Sequence, residues 1–188
     1  MKTKVAMIFG GKSVEHEVSV ISGIQAYLSM NTEKYDVIPV YMTKNNEMYV
    51  GDEIGKIEAY KDIPKLLEKS QRVIMANDQT TVKLVSYPAR KFGRGYEETV
   101  DVAFPVVHGT NVEDGAFQGY LKTMGIPFVG CDVTASAIGM DKFIMKAVLK
   151  EAGVPILDAK LYTLSDYEDM DEMAKSIKEE IGFPAIVK

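Results

Sequence analysis

A chain of 188 residues with 46% hydrophobic and 26% charged residues can bury a real core, and its composition excludes disordered and fibrous classes. A formal net charge of -5 offers no basic face for non-specific nucleic-acid binding, so no nucleic-acid partner is expected. The single Cys131 excludes an internal disulfide framework, and the apolar run after Lys2 and Lys4 is cut after five residues by Gly10 and Gly11, too short for a secretory signal. No stretch approaches a membrane span, so no membrane partner is expected, and the expected location is cytoplasmic.

Lys4–Phe9 is a continuous apolar run of the kind buried on both faces in parallel sheets. Val18, Ile21, Gln25 and Leu28 then follow one helical stripe, which predicts a helix over Glu15–Ser29. Tyr35–Met42 (YDVIPVYM) reads as a second strand, and strand–helix–strand at this spacing is the unit of a parallel sheet. Pro39 lacks an N–H and places that strand at an edge or a bulge.

Between Thr43 and Thr99 the texture loosens. Asn45–Asn46 marks a turn beside a short strand, and TTVKLVSY alternates like a half-exposed strand. PARKFGRGYEE is a polar loop carrying Arg90, Lys91 and Arg94, readable as an anion contact or, more plainly, as a solvated hairpin tip. Val102–Val107 (VAFPVV) is another buried-strand candidate. MGIPFVG, AGVPILD and IGFPAIVK each close a helical pattern with Gly and place Pro two residues later, so each predicts a helix-to-strand junction. Asp114, Asp141 and the pair Ser165/Glu168 are the expected caps of the three preceding helices. The fold class is α/β. The chain stops at Lys188 inside or at the end of a strand candidate, and is read as a fragment.

Two constellations carry chemistry. In FGGKSVEHEVS, a glycine pair after a strand and before a helix makes an anion site from free N–H groups. The dinucleotide fingerprint, however, needs glycines where Lys12 and Glu15 stand. Glu15 puts negative charge where a pyrophosphate would sit, and suits a cation such as an amino acid's ammonium. The structural alternative is that Glu15 and Glu17 only favour the positive end of the helix, by about 0.3–1 kcal/mol each.

The second constellation, HGTNVEDG (His108–Gly115), also follows a strand, and ligands of open parallel sheets bind beyond the carboxyl ends of strands. His108 can donate to a carboxylate or move a proton; Glu113 and Asp114 can orient a neighbouring Lys or Arg. The plainer roles are a satisfied loop histidine and, for Asp114, an N-cap. Lys142 sits in a helix's first turn, where the dipole disfavours a cation unless an anion offsets it, and Lys188 follows the apolar PAIV. No metal-ligand spacing and no nucleophile–base pair appears.

Together GGKSVEHEVSVIS, HGTNVEDGAFQGYL, GIPFVGC, ASAIGMDK and FPAIVK resemble the D-alanine–D-alanine ligase family of ATP-grasp enzymes, in order from Lys4 to Lys188. The resemblance implies a Rossmann-like pre-ATP-grasp domain over residues 1–138, followed by the first part of an ATP-grasp central domain over 139–188. It implies ATP and magnesium as cofactors, with the magnesium ligands beyond Lys188, and a homodimer at full length. It assigns Glu15 to the ammonium of the first D-alanine, with Val18 and His108 lining that subsite, and Lys142 and Lys188 to the phosphates of ATP. The implied activity is ATP-dependent joining of two D-alanines for peptidoglycan precursors, with the chain inactive by itself. The alternatives are another ATP-grasp ligase or a D-serine or D-lactate variant, a non-catalytic module and, more distantly, a nicotinamide oxidoreductase.

Overall fold

The computed structural model describes residues 2–89, 93 and 95–187. The basic-loop residues Arg90, Lys91 and Arg94, and Lys188, lie outside the described residues. The chain divides into two compact units, Met1–Ala137 and Ile138–Lys188.

The first unit is built on one seven-stranded sheet in the order β6-β5-β4-β3-β2-β1-β7. β1 (Thr3–Gly10) pairs in parallel with β2 (Tyr35–Met42) on one side and with β7 (Val102–Val107) on the other. β3 (Met48–Val50), β4 (Gln71–Asp78), β5 (Thr81–Ser86) and β6 (Glu97–Val100) extend the sheet by antiparallel pairing. The sheet is therefore mixed, a parallel centre continued by an antiparallel meander. Pro39 fits a central strand because β3 reaches only Tyr41 and Met42, so no ladder bond is required of it on that side. A parallel bridge between Ala103 and Phe128 adds a further short pairing beyond β7, within the first of the three Gly-x-Pro segments.

Both faces of β1 are covered, which is why it reads as an unbroken apolar run. Ala6 and Ile8 pack with Phe117, Leu121 and Ile126, two of them from α3 (Ala116–Met124). Met7 and Phe9 pack with Val20 and Ile24 of α1 (His16–Leu28) and with Leu66 of α2 (Ile63–Glu68).

The phase of α1 is a correction. Val18, Ile21 and Leu28 of the predicted stripe are 53%, 49% and 73% exposed, whereas His16, Ser19, Val20, Gly23 and Ile24 are buried. Both sets have helical spacing. The one that packs contains small residues, and they allow close approach: a Cβ on Gly23 would lie 2.4 Å from the Phe9 side chain. The sequence does not predict β4, β6 and α2: β6 and α2 are short, with Glu97, Glu98, Lys65 and Glu68 among few apolar residues, and the apolar run at 73–76 in β4 lies between polar ends, Gln71–Arg72 and Asn77–Asp78.

The second unit contains α5 (Lys142–Glu151) and α6 (Met170–Glu180); α4 (Val133–Met140) straddles the division. Asp141 caps α5, accepting from the Phe143 and Ile144 N–H groups at 2.9 Å. α6 is capped by Asp169 rather than Ser165, and a 3₁₀ turn, Leu164–Glu168, precedes it. Gly125, Gly153 and Gly182 take left-handed conformations after α3, α5 and α6. The strands expected after Gly153 and Gly182 do not form among the described residues of this unit, for a strand requires a partner for its N–H and C=O groups. Among the described residues, no helix is long and apolar enough to cross a membrane.

Burial pushes the Tyr41 and Tyr96 phenols up to about 12, and Tyr60 higher still. Their folded values lie above the unfolded value of about 10, so this contribution to stability is complete below about pH 10 and is lost as pH rises through the folded values. Thermal melts between about pH 8 and 12 are expected to stay level to about pH 10 and then fall, less steeply in Tyr60→Phe. A melting temperature that holds level to about pH 12 would contradict the burial of these hydroxyls.

Candidate functional site

β1 and β7 are adjacent and parallel, so the loops that follow them emerge side by side at the carboxyl edge of the sheet. The first loop begins with a backbone that only glycine tolerates. Gly10 and Gly11 both have φ of 94°, and a Cβ on Gly10 would lie 2.2 Å from the Met42 carbonyl oxygen. The turn lets the Gly11 N–H donate to that same carbonyl at 2.7 Å. The Gly11 carbonyl then accepts from the Ser13 N–H at 3.0 Å and from His16 Nδ1 at 2.7 Å. Ser13 Oγ accepts the Glu15 N–H at 3.1 Å.

The second loop is closed by its own carboxylates. Glu113 Oε2 accepts from the Gly109 N–H at 2.5 Å, and Gly109 O accepts from the Glu113 N–H at 2.9 Å. Asp114 accepts from the Asn111 N–H at 2.6 Å and from the Ala116 N–H at 3.1 Å. It thus serves the start of α3 from one position earlier than a standard N-cap, which is Gly115. The loops are tied together where Asn111 Nδ2 donates to Lys12 O at 2.9 Å, and Gly109 comes so close that a Cβ there would lie 2.3 Å from Ser13 Oγ.

This places Glu15, His108 and Glu113 together: each offers one ligand atom, and the three atoms lie within 4.8 Å of one another. His108 Nδ1 is 3.7 Å from Glu113 Oε1, and its Nε2 is buried with no hydrogen-bond partner among the described residues. The two glutamates of EHE differ in role. Glu17 is held by Lys44 at 2.6 Å, whose ammonium lowers the Glu17 carboxyl below its usual value. The Glu15 carboxylate has no hydrogen-bond or ion-pair partner among the described residues, and it does not cap α1 although it occupies the N-cap position. A partly open shelf with two carboxylates and an imidazole can receive a small cationic group, and an ammonium has three donors for such acceptors. Two grooves of about 650 and 440 Å³ lie elsewhere in the first unit, and neither is lined by Glu15 or His108.

Glu113 contacts His108 and the Gly109 amide instead of the Lys or Arg expected of it, because the turn at Gly109 brings its carboxylate back over its own loop. Val18 lies on the exposed face of α1. Lys142, in the second unit, donates from Nζ to Gly139 O at 2.7 Å, so carbonyl groups at the end of α4 already offset part of its first-turn cost. A compact ammonium at a helix N-terminus also fits a phosphate oxygen. The acid–imidazole trio, with a nitrogen among its donors, does not fit magnesium, which prefers an all-oxygen shell.

Sequence reasoning passed over the residues that hold these loops. Ser19, wholly buried, accepts the Gly10 N–H at 2.7 Å and donates to Val106 O at 2.6 Å, linking α1, β1 and β7. His16 Nε2 lies 3.1 Å from the Tyr41 hydroxyl, and Gln118 Nε2 donates to Val112 O at 3.0 Å. The available signal was the spacing of His16, Ser19, Val20, Gly23 and Ile24, which is as helical as the apolar stripe.

A parallel-centred α/β sheet whose adjacent strand ends present a glycine turn and an acid–imidazole shelf has its polar groups at the carboxyl edge, where open α/β sheets generally take up ligands. Residues 4–131 match the family described as D-ala D-ala ligase N-terminus, and the chain belongs to that family. A D-alanine--D-alanine ligase of Thermosipho melanesiensis is 37% identical over 184 residues, covering 98% of this chain and 48% of its own length. The solved D-alanine-D-alanine ligase of Coxiella burnetii superposes with a TM-score of 0.75 at 26% identity, over 95% of this chain and 49% of that one. A D-Ala:D-Ser ligase of Enterococcus faecalis gives 0.70 at 29% identity, over 96% and 50%. The chain spans about half the length of the curated relatives it matches.

Gly10→Ala is expected to cost about 2–4 kcal/mol, since the strained φ and the overlap with backbone at Met42 add and neither can relax through a side chain. Urea unfolding measures it; a loss below about 1 kcal/mol would contradict the turn geometry.

Proposed function

We propose that this chain supplies the first-substrate half of an ATP-dependent ligase that joins two D-alanines for peptidoglycan precursors. The carboxylate of one D-alanine is activated as an acylphosphate, and the amine of the second attacks it, releasing phosphate. The observation that carries this reading is the convergence of Glu15, His108 and Glu113, with no hydrogen bond or ion pair to the Glu15 carboxylate among the described residues.

Glu15 receives the ammonium of the first D-alanine, a charge-assisted contact that fixes the zwitterion's orientation. His108, whose Nε2 has no hydrogen-bond partner among the described residues, faces the carboxylate end, and Glu113 braces the imidazole. Val18 borders the subsite from the first turns of α1. The second unit begins the nucleotide-binding domain, where Lys142 and Lys188 hold phosphate oxygens of ATP. ATP supplies the phosphoryl group that makes a carboxylate electrophilic. The chain's own residues contribute position and charge, which carry most of the catalysis in such a transfer. The relatives' names support D-alanine as substrate, and the D-Ala:D-Ser relative supports a shared first subsite with a different second one. A cytoplasmic location and a homodimer accompany the reading.

Titration of the 188-residue chain with D-alanine, followed by amide chemical shifts, is expected to move the loop resonances around Glu15 and His108. Glu15→Gln is expected to weaken binding by about tenfold or more, because it removes a charged partner from the ammonium. Equal binding by Glu15→Gln, or shifts confined to other regions, would overturn the ammonium role.

A further inference from the structure

Each of the two site loops is fastened by a buried side chain on the helix that follows it. In the first loop, His16 opens α1 and reaches back five residues to the Gly11 carbonyl at 2.7 Å. A carbonyl only accepts, so Nδ1 carries the hydrogen, and in the neutral ring Nε2 is left to accept from Tyr41 at 3.1 Å. His16 is 4% exposed and its ring meets Tyr41 edge-on. In the second loop, Gln118 of α3 is 7% exposed and reaches back six residues to the Val112 carbonyl at 3.0 Å. Neither side chain is among the groups that converge on the shelf.

What they hold does reach the shelf. The Gly11 carbonyl gripped by His16 also accepts the Ser13 N–H, and Ser13 Oγ holds the Glu15 amide. The Val112 carbonyl gripped by Gln118 lies one residue before Glu113, which bonds to Gly109 and contacts His108. Val112 itself is buried, and a Cβ on Gly11 would lie 2.6 Å from its side chain, so the two fastened carbonyl segments pack against each other.

We propose that His16 and Gln118 are positioning residues that set the separation of Glu15 from His108 and Glu113, each by anchoring one backbone carbonyl of its loop. The proposal rests on the reading of the shelf as the first D-alanine subsite, and it makes a ligand-free prediction as well. His16→Asn preserves a donor close to the place of Nδ1, whereas His16→Leu removes it; Gln118→Met keeps the shape and removes the amide.

The experiment uses the 188-residue chain with two readouts, D-alanine titration and amide hydrogen exchange. His16→Leu and Gln118→Met are expected to weaken D-alanine binding by about 10- to 100-fold, the scale on which small misplacements act. Exchange is expected to speed up by about tenfold at Ser13 and Glu15 in His16→Leu, and at Glu113 in Gln118→Met, with the β1 amides unchanged. His16→Asn is expected to restore both readouts most of the way. Wild-type affinity and wild-type loop protection in His16→Leu and Gln118→Met would overturn the proposal, as would failure of His16→Asn to rescue. Should His16→Leu not fold, His16→Asn and Gln118→Met decide the matter alone. If the unaltered chain does not bind D-alanine, the substrate reading fails, and loop exchange in the variants still decides whether the two side chains position the loops.

Discussion

A hydroxyl that water cannot reach governs the geometry of this protein. Gly10 ends β1 with its N–H directed at Ser19 Oγ, and the same hydroxyl donates to the Val106 carbonyl on β7. Leaving either backbone group unpaired in the interior would cost about 1–3 kcal/mol. Satisfying both with one side chain pins α1 at the point where two parallel strands end. The pin holds only because α1 lies very close to the sheet, with Gly23 against Phe9. Larger residues on that face would lift the helix, and the hydroxyl with it.

From that fixed point the charge distribution of the site follows. Glu15 stands at the entrance to α1 and declines the usual task of a residue there, since Ser13 attends to its amide and its own carboxylate caps nothing. Glu17, two residues on, is neutralised by Lys44. The loop after β7 adds an imidazole and a second carboxylate whose positions are set by the turn at Gly109. The outcome is a small region of unbalanced negative charge beside a nitrogen with no partner among the described residues. Such an arrangement presents acceptors in excess of donors, which is the physical basis for the ammonium contact proposed above.

The antiparallel strands play a different part. β3 to β6 contribute none of the three converging groups, yet the turn between β2 and β3 supplies Asn46, whose Oδ1 accepts the Lys12 N–H at 3.1 Å. Asn46 has φ of 61°, a conformation that asparagine tolerates better than most residues. The meander therefore braces the first loop from the side opposite to the second loop.

Much of this was legible in the sequence. β2 and β7 fall on the predicted spans, and β1 departs from its span by a residue at each end, because strands covered on both faces must be apolar throughout. Gly125, Gly153 and Gly182 could be read as helix ends since only glycine enters the left-handed region cheaply. Glu15 and His108 could be singled out because each follows a strand at a position where a simple connection needs neither. What the chain alone did not decide was anything that depends on a partner distant in sequence. The inward face of α1 was set by close packing of Ser19 and Gly23 on β1, which outweighed a larger apolar stripe. The strands after Gly153 and Gly182 had composition in their favour and no neighbour to bond among the described residues. The approach of Glu15 to residues more than ninety positions away arose from β1 pairing with β7, a contact made by backbone groups that every sequence shares. Local chemistry named the candidates; the tertiary structure decided which of them meet.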